Sequence, residues 1–445
     1  MNKKQHTLSR ISALLLVFVL LTLSLAGCSG SAGSGLSNDV LITKNSVVIR
    51  LAQDKSIPEF DTKTFSNVEL CFNAYYYTEL EDNETLAAKT KSAFNEFCAD
   101  VDTSDVDAVT HALIDCYIYA IGDNYSFFRN PEELEDYNTD MGGSFVGIGV
   151  SIIRNNLTNI IQVTGTEPDS PAREAGIQPD DYIIAVDGVL VSEVGAAVAV
   201  DKIKGEVGTQ VSVTVKRGEE EITFDMKRAL INETFVTYNF IEDTKIVYIK
   251  IKSFKGDSEN NTLIQFCEAV NFAEENGAEG IIFDVCDNPG GYLHLVTDML
   301  SYLVPNNTPI VSFSSGKTSI NADNDGTSNN PYDHVLNIPS VVITNKNSAS
   351  AAELFSGALR DYNDMGILKS TLVGEVTFKK GIMQSTITFT DGSALTLTTA
   401  LYNPPSGENF HAVGVTPDVL ANEGDDFLEL ALTEINKLIS SSKTN

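Results

Sequence analysis

Val341-Val-Ile-Thr-Asn-Lys-Asn-Ser-Ala-Ser350-Ala-Ala-Glu353-Leu-Phe355 decides how this chain is read. Val341 to Thr344 is an apolar, largely β-branched run, which predicts a buried strand. A polar break covers Asn345 to Ser348. Ala351 to Leu359 then predicts a helix, because Ala, Glu and Leu favour one. Ser350 therefore falls at a strand-to-helix corner, where free backbone N–H groups and the positive end of the helix dipole gather. A serine hydroxyl at such a corner has donors for a developing oxyanion beside it. The same residues also fit a plainer role. Ser350-Ala-Ala-Glu353 has the spacing of a capping box, in which the Ser caps the helix and the Glu reaches back.

The continuation adds a second group of residues. A short strand is expected at Thr371 to Val373, then Phe378-Lys-Lys380-Gly381, with Gln384 four residues beyond Lys380. Taken with Ser350, these residues resemble the C-terminal processing (tail-specific) serine peptidases. That family carries Ser-Ala-Ser-Ala-x-Glu and then Phe-Gly-Lys-Gly-x-x-Gln. The resemblance implies Ser350 as nucleophile, Lys380 as general base and Gln384 as the residue that orients the base. It implies neither a cofactor nor a metal ion. The chain departs from the pattern twice: Lys379 replaces a Gly, and the stretch from Ser350 to Lys380 is longer than usual, the surplus falling around Asn363 to Ser370. On a strand, neighbours face opposite sides, so Lys379 is expected to point to solvent.

A serine hydroxyl is a weak nucleophile and needs a base. A free lysine titrates near pH ~10.4 and is charged at neutral pH. Desolvation penalises the ammonium and lowers that value. Phe378, Ile382 and Met383 are expected to supply apolar cover. A neutral Gln384 can orient the amine without restoring its charge.

The first residues read as a targeting signal. Lys3, Lys4 and Arg10 precede a nearly continuous apolar run from Ile11 to Leu25, about the length of a signal core and short for a spanning helix. It ends in Leu25-Ala-Gly-Cys28, which looks like a bacterial lipoprotein cleavage box. Cys28 is thus the expected lipidation site, on the extracytoplasmic face of the cell membrane. Residues 28–60 are expected to be a tether, Ser/Gly-rich from Ser29 to Ser37.

The chain has 445 residues and a net charge of −31. That length suits two or three domains. The leader holds three basic residues and no acidic one, so the remainder is more acidic still and should repel nucleic acid. Five cysteines remain besides Cys28, at 71, 98, 116, 267 and 286, without zinc-pair spacing. One disulfide among Cys71, Cys98 and Cys116 is left open.

Helical spacing marks Asn67–Leu80, Leu86–Cys98 and Val106–Ile121, within a helical region at 61–137. Gly142-Gly-Ser-Phe-Val-Gly147-Ile-Gly149-Val150 follows. It is not a dinucleotide fingerprint, because Ile152 stands at the third Gly position. With the strands and short helices after it, residues 138–232 resemble a PDZ domain. The resemblance implies that Gly147, Ile148, Gly149 and Val150 hold a peptide's terminal carboxylate while the peptide adds as a strand.

From 233 to 445, strands alternate with helices, which argues for a layered α/β core. Asn288-Pro-Gly-Gly291 lies at a second strand-to-helix corner. It matches the family's Asp-Leu-Arg-x-Asn-Pro-Gly-Gly, with Cys286 in place of Arg. The resemblance implies an oxyanion hole from Gly290, Gly291 and Ala351. It also implies a protease core of the ClpP/crotonase type with an inserted-type PDZ domain. The expected partners are protein or peptide substrates with free C-termini, and the membrane through the lipid anchor only; a homodimer is left open. Two rivals stand beside this expectation: a PDZ receptor with a dead protease core, and a Ser-His-Asp hydrolase drawing on His294 or His411.

Overall fold

The computed structural model describes residues 46–155, 160–314, 326–331 and 333–442. The leader, Cys28 and the Ser/Gly-rich stretch lie outside the described residues. The chain divides into two compact units.

The first unit holds the described residues up to Leu134 together with Met383–Ala400. Its helices are α1 (Val47–Gln53), α2 (Thr62–Tyr75), α3 (Asn83–Phe97) and α4 (Val106–Ile121), followed by strand β1 (Phe127–Arg129). Three of the helices start on an aspartate. Asp61, Asp82 and Asp105 each accept two of the N–H groups that a helix start leaves open. Helix α1 lies in the stretch expected to be a tether. It folds because Val47, Val48 and Leu51 are buried, and because the buried Glu69 carboxylate accepts the N–H groups of Val47 and Val48 at 2.7 and 3.0 Å. The core of this unit is built on Phe65, Phe72 and Tyr117, and Leu395 and Leu397 join it from much later in the sequence.

The second unit begins within α5 (Pro131–Met141) and goes on with β2 (Ser144–Gly147), β3 (Val150–Asn155), β4 (Ile160–Thr166), α6 (Pro171–Ala175), β5 (Tyr182–Val186) and β6 (Val189–Leu190). It continues through α7 (Val191–Val194), α8 (Ala196–Ile203), β7 (Gln210–Arg217), β8 (Glu220–Lys227) and β9 (Ala229–Asn232). A sheet ordered β3-β4-β5-β7-β8, with β6 on β5, closes over an aliphatic core that includes Ile161, Val186, Ala199 and Val213. Strand β3 is the edge of this sheet.

The remaining elements form the larger part of the second unit, except that the strand residues within Met383–Ala400 belong to the first. They are β10 (Val236–Phe240), β11 (Ile246–Ile251), α9 (Thr262–Glu275), β12 (Gly280–Asp284), α10 (Leu293–Leu303), β13 (Pro309–Ser314) and β14 (Gly326–Thr327). They continue with β15 (Ser340–Thr344), α11 (Ala351–Asp364), β16 (Ser370–Gly374), β17 (Ile382–Thr388), β18 (Ala394–Asn403), β19 (Val419–Leu420) and α12 (Phe427–Ser442). Six strands run in the order β10-β11-β12-β15-β16-β19, parallel except for β10. Their apolar runs are continuous because helices cover both faces. Ile282 and Val341 meet Ala431 and Ile435 of α12 on one face. Phe283 points the other way, against Phe266 of α9 and Phe355 of α11. The α/β class expected from the alternation is what the chain adopts. All residues of strand β18 but Leu401 are buried.

Candidate active site

Strands β12 and β15 are parallel neighbours, Ile282 opposite Val341. Their C-terminal ends therefore open side by side, and the loops after them meet. This is where open α/β sheets place their sites. Ala349 N–H donates to the Asn288 carbonyl at 2.9 Å, and Ser348 Oγ donates to the Val285 carbonyl at 2.7 Å. Asp287 accepts from Asn345 Nδ2 at 2.9 Å and from Asn347 Nδ2 at 2.8 Å. Those two amides, Asn347 first, hold the Asp287 carboxyl below the usual carboxylate range. The two corner loops thus form one cross-braced unit.

Ser350 is the residue before α11 and has φ +56° and ψ −114°. A positive φ is costly for a residue with a Cβ, and such strain clusters at functional corners. The return half of the capping box is present, with Ser350 N–H donating to Glu353 Oε2 at 2.9 Å. The hydroxyl is engaged elsewhere. Tyr402 Oη lies 3.2 Å from Ser350 Oγ and 3.2 Å from the Lys380 carbonyl. The carbonyl can only accept, so when Tyr402 donates to it, Ser350 can donate its own proton to Tyr402. Burial, first of all, pushes the Tyr402 hydroxyl well above its ordinary pKa, so it stays protonated.

Glu353 gathers the site. Its buried carboxylate accepts from Ser350 N–H and Lys380 N–H on Oε2, at 2.9 and 2.7 Å. On Oε1 it accepts from Thr377 Oγ1 and Lys379 N–H, at 2.6 and 2.7 Å. Burial pushes this carboxyl up, and the four donors pull it part of the way back. One carboxylate oxygen therefore ties the backbone of Ser350 to that of Lys380. Thr377 is itself placed by Val415, whose N–H donates to the Thr377 hydroxyl at 2.7 Å.

Lys379 and Lys380 lie in an irregular segment after β16, not on a strand. Lys379 is exposed, as expected, but for a different reason than strand alternation. Its φ is +85°, the left-handed region that favours Gly. The Gly of the family pattern fits that conformation, and Lys379 adopts it with its amide held by Glu353. Lys380 is half-buried. Of the apolar residues expected to cover it, Ile382 is buried but Phe378 is 51 % exposed. Gln384 belongs to the first unit, where its Nε2 donates to the Tyr125 carbonyl.

The candidate oxyanion donors divide. The Gly290 N–H is taken up by Asn288 Oδ1 at 2.8 Å, which corrects the expectation that this amide is a free donor. Gly290 is needed for space instead: at φ +98°, a Cβ there would stand 2.8 Å from Ser350 Cβ and 2.9 Å from the Ala349 carbonyl. The Gly290 carbonyl accepts from Phe254 N–H at 2.9 Å. In a trans peptide the following N–H, that of Gly291, points the opposite way. Ala351 supplies the first amide of α11.

Cys286 stands where the resemblance places an Arg, and the structure puts a different cation there. Lys250, near the end of β11, reaches Asp284 Oδ1 at 3.0 Å and the Cys286 carbonyl at 2.7 Å. Burial and then the charge of Asp284 push the Cys286 thiol up. Tyr402, Thr377 and Lys250 were missed from sequence. None was named as a site residue, because each acts from a different element.

In the other part of the unit, Ile148 and Gly149 join β2 to β3. Ile148 is buried, and Gly149 has φ +74° with a Cβ excluded by Ser170 Cβ at 2.4 Å. The Ile148 carbonyl accepts from Ala172 N–H, and the Gly149 carbonyl from Glu167 N–H, both at 2.9 Å. The N–H groups of Gly149 and Val150 therefore point away from those contacts.

Residues 245–421 match the model of Peptidase family S41, and residues 162–217 match a PDZ domain. The chain is 33% identical over 319 residues to a "Probable CtpA-like serine protease" of Staphylococcus saprophyticus, covering 71% of this chain and 61% of that protein. It is 33% identical over 315 residues to a protein of the same description from Staphylococcus aureus, covering 71% and 60%. The chain thus spans less than two thirds of the length of these curated relatives. Among solved structures, one described as an S41 protease from Bacteroides fragilis shares the fold, with a TM-score of 0.52, 16% identity, and coverage of 83% of this chain and 97% of that one.

Proposed function

We propose, from the matches of residues 245–421 to peptidase family S41 and of residues 162–217 to a PDZ domain, that the chain is an exported, lipid-anchored serine endopeptidase working through a Ser350–Lys380 dyad. The observation that carries this is Glu353 Oε2, which accepts both the Ser350 and the Lys380 N–H. In this mechanism the Lys380 amine takes the Ser350 proton as Oγ attacks a peptide carbonyl, with Gln384 orienting the amine. The N–H groups of Gly291 and Ala351 stabilise the oxyanion. Tyr402 fixes the Ser350 hydroxyl before attack. Lys380 then returns the proton to the leaving amine, and water releases the acyl group.

Substrates are taken by their tails. The N–H groups of Gly149 and Val150 hold the terminal carboxylate, and the chain extends along the free edge of β3 as an added strand. Charge-assisted hydrogen bonds of this kind contribute about 1.5–3 kcal/mol. Amidating the C-terminus of an unfolded substrate is therefore expected to lower kcat/KM about 10- to 100-fold. Equal rates for the free and amidated forms would remove the PDZ domain from substrate choice.

Cys28 carries the lipid and holds the protein on the extracytoplasmic face of the membrane. Cys28→Ser is expected to move it out of the membrane fraction or leave it as unprocessed precursor. Unchanged fractionation and unchanged lipid labelling would overturn the anchor.

A further inference from the structure

Five cysteines fall among the described residues, and one pair has its sulfurs in contact. Cys98 closes the C-terminal end of α3, and Cys116 lies in the body of α4. Their Sγ atoms are 3.6 Å apart. The contact is built by packing, since α3 and α4 run side by side and share the core that includes Leu86, Phe94, Leu113 and Tyr117. Just outside it, the rings of Phe97 and Tyr119 meet edge to face at 5.3 Å. The remaining thiols, Cys71, Cys267 and Cys286, touch no second sulfur.

We propose that Cys98 and Cys116 are a dithiol–disulfide site, closed by exchange with a small-molecule disulfide and bracing the α3–α4 pair. The step balances as two exchanges. The Cys98 thiolate attacks a disulfide such as oxidised glutathione, forming a mixed disulfide and releasing one glutathione thiol. Cys116 then attacks Cys98 Sγ, forming the internal S–S bond and releasing the second glutathione thiol. The two protein thiols lose two hydrogens, and one glutathione disulfide becomes two thiols. The environments set the order of attack. Cys98 is half-buried and open to a reagent. Cys116 is buried, and burial first, then its neighbour Cys98, pushes its thiol up to about 12. It is the resolving partner, able to attack only once a sulfur is held against it. Cys71 and Cys267 are raised to about 11 and 12 by burial and have no such partner.

The loop that the bond would close contains the α3–α4 connection, so its ordering restrains the unfolded chain. Both sulfurs also fall on one tryptic peptide, because no Lys or Arg lies between Ser92 and Phe128. The test uses the full chain, purified under reductant, equilibrated with oxidised glutathione, then alkylated and digested. The expected result is a peptide from Ser92 to Arg129 that carries no alkyl group and is lighter by two hydrogens. The peptides holding Cys71, Cys267 and Cys286 should remain alkylated. In the Cys98→Ser variant, Cys116 should become alkylatable and the other three unchanged. The oxidised wild type should melt roughly 5–10 °C above the reduced form, a difference absent from the variant. A peptide alkylated at both cysteines, or a glutathione adduct left on Cys98 with Cys116 free, would overturn the site. Equal melting temperatures of the two forms would overturn the bracing.

Discussion

Ser350→Ala is expected to lower kcat on an unfolded protein substrate by about 10⁴-fold or more, and Lys380→Ala by a similar factor. The double variant should be no slower than either single one, because nucleophile and base act as one unit. Folding should survive. Alanine at φ +56° is no worse off than serine, and Tyr402 keeps the Lys380 carbonyl as a partner. His294→Ala and His411→Ala should retain activity. The Ser350 hydroxyl is engaged by Tyr402. Substantial turnover by Lys380→Ala, together with loss in either histidine variant, would replace the Ser–Lys mechanism with a histidine one.

Glu353→Gln should damage both stability and activity although it keeps the shape. The carboxylate accepts four hydrogen bonds, two on each oxygen. A glutamine has one acceptor oxygen, so two donors would face an NH₂ group. Buried donors without partners cost about 1–3 kcal/mol each, so the unfolding free energy should fall by roughly 2–6 kcal/mol, read from denaturant midpoints. Release of the Lys380 segment displaces a reacting group, and a misplacement of about 1 Å costs on the order of 10²-fold in rate. Glu353→Asp is expected to fail as well, because it is one methylene too short to reach both segments. A Glu353→Gln enzyme with wild-type midpoint and kcat would show that the four bonds matter to neither.

What could be read without coordinates was the local chemistry. The apolar run Val341–Thr344 and the helix-forming run after Ser350 are set by neighbouring residues, and both appear where their patterns place them. The Gly290-Gly291 turn and the Gly147–Val150 loop announce themselves by residue type, since glycine is needed where φ is positive or a Cβ would collide. The expected lipoprotein box at Leu25–Cys28 rests on the same kind of short contiguous pattern. The placement of Ser350 beside Gly290 also follows in outline, once β12 and β15 are parallel neighbours.

Tertiary structure decided what depends on residues far apart in sequence. Glu353 had the spacing of a helix cap, and only the fold shows that its second task is to hold Thr377, Lys379 and Lys380. Lys379 looked like a strand residue; in the fold it has a positive φ and donates its N–H to the Glu353 carboxylate. Gly290 kept its place but lost its donor role to Asn288. The site roles of Tyr402 and Lys250 come from the fold, because a hydroxyl or ammonium becomes part of a site through what the chain folds against it. The segment 383–400 likewise joined the helices of the first unit, since Leu395 and Leu397 are buried with Phe65 and Tyr117. Backbone preference and glycine chemistry are short-range and were written in the sequence; hydrogen-bond partnership and burial are long-range and were settled by the packed chain.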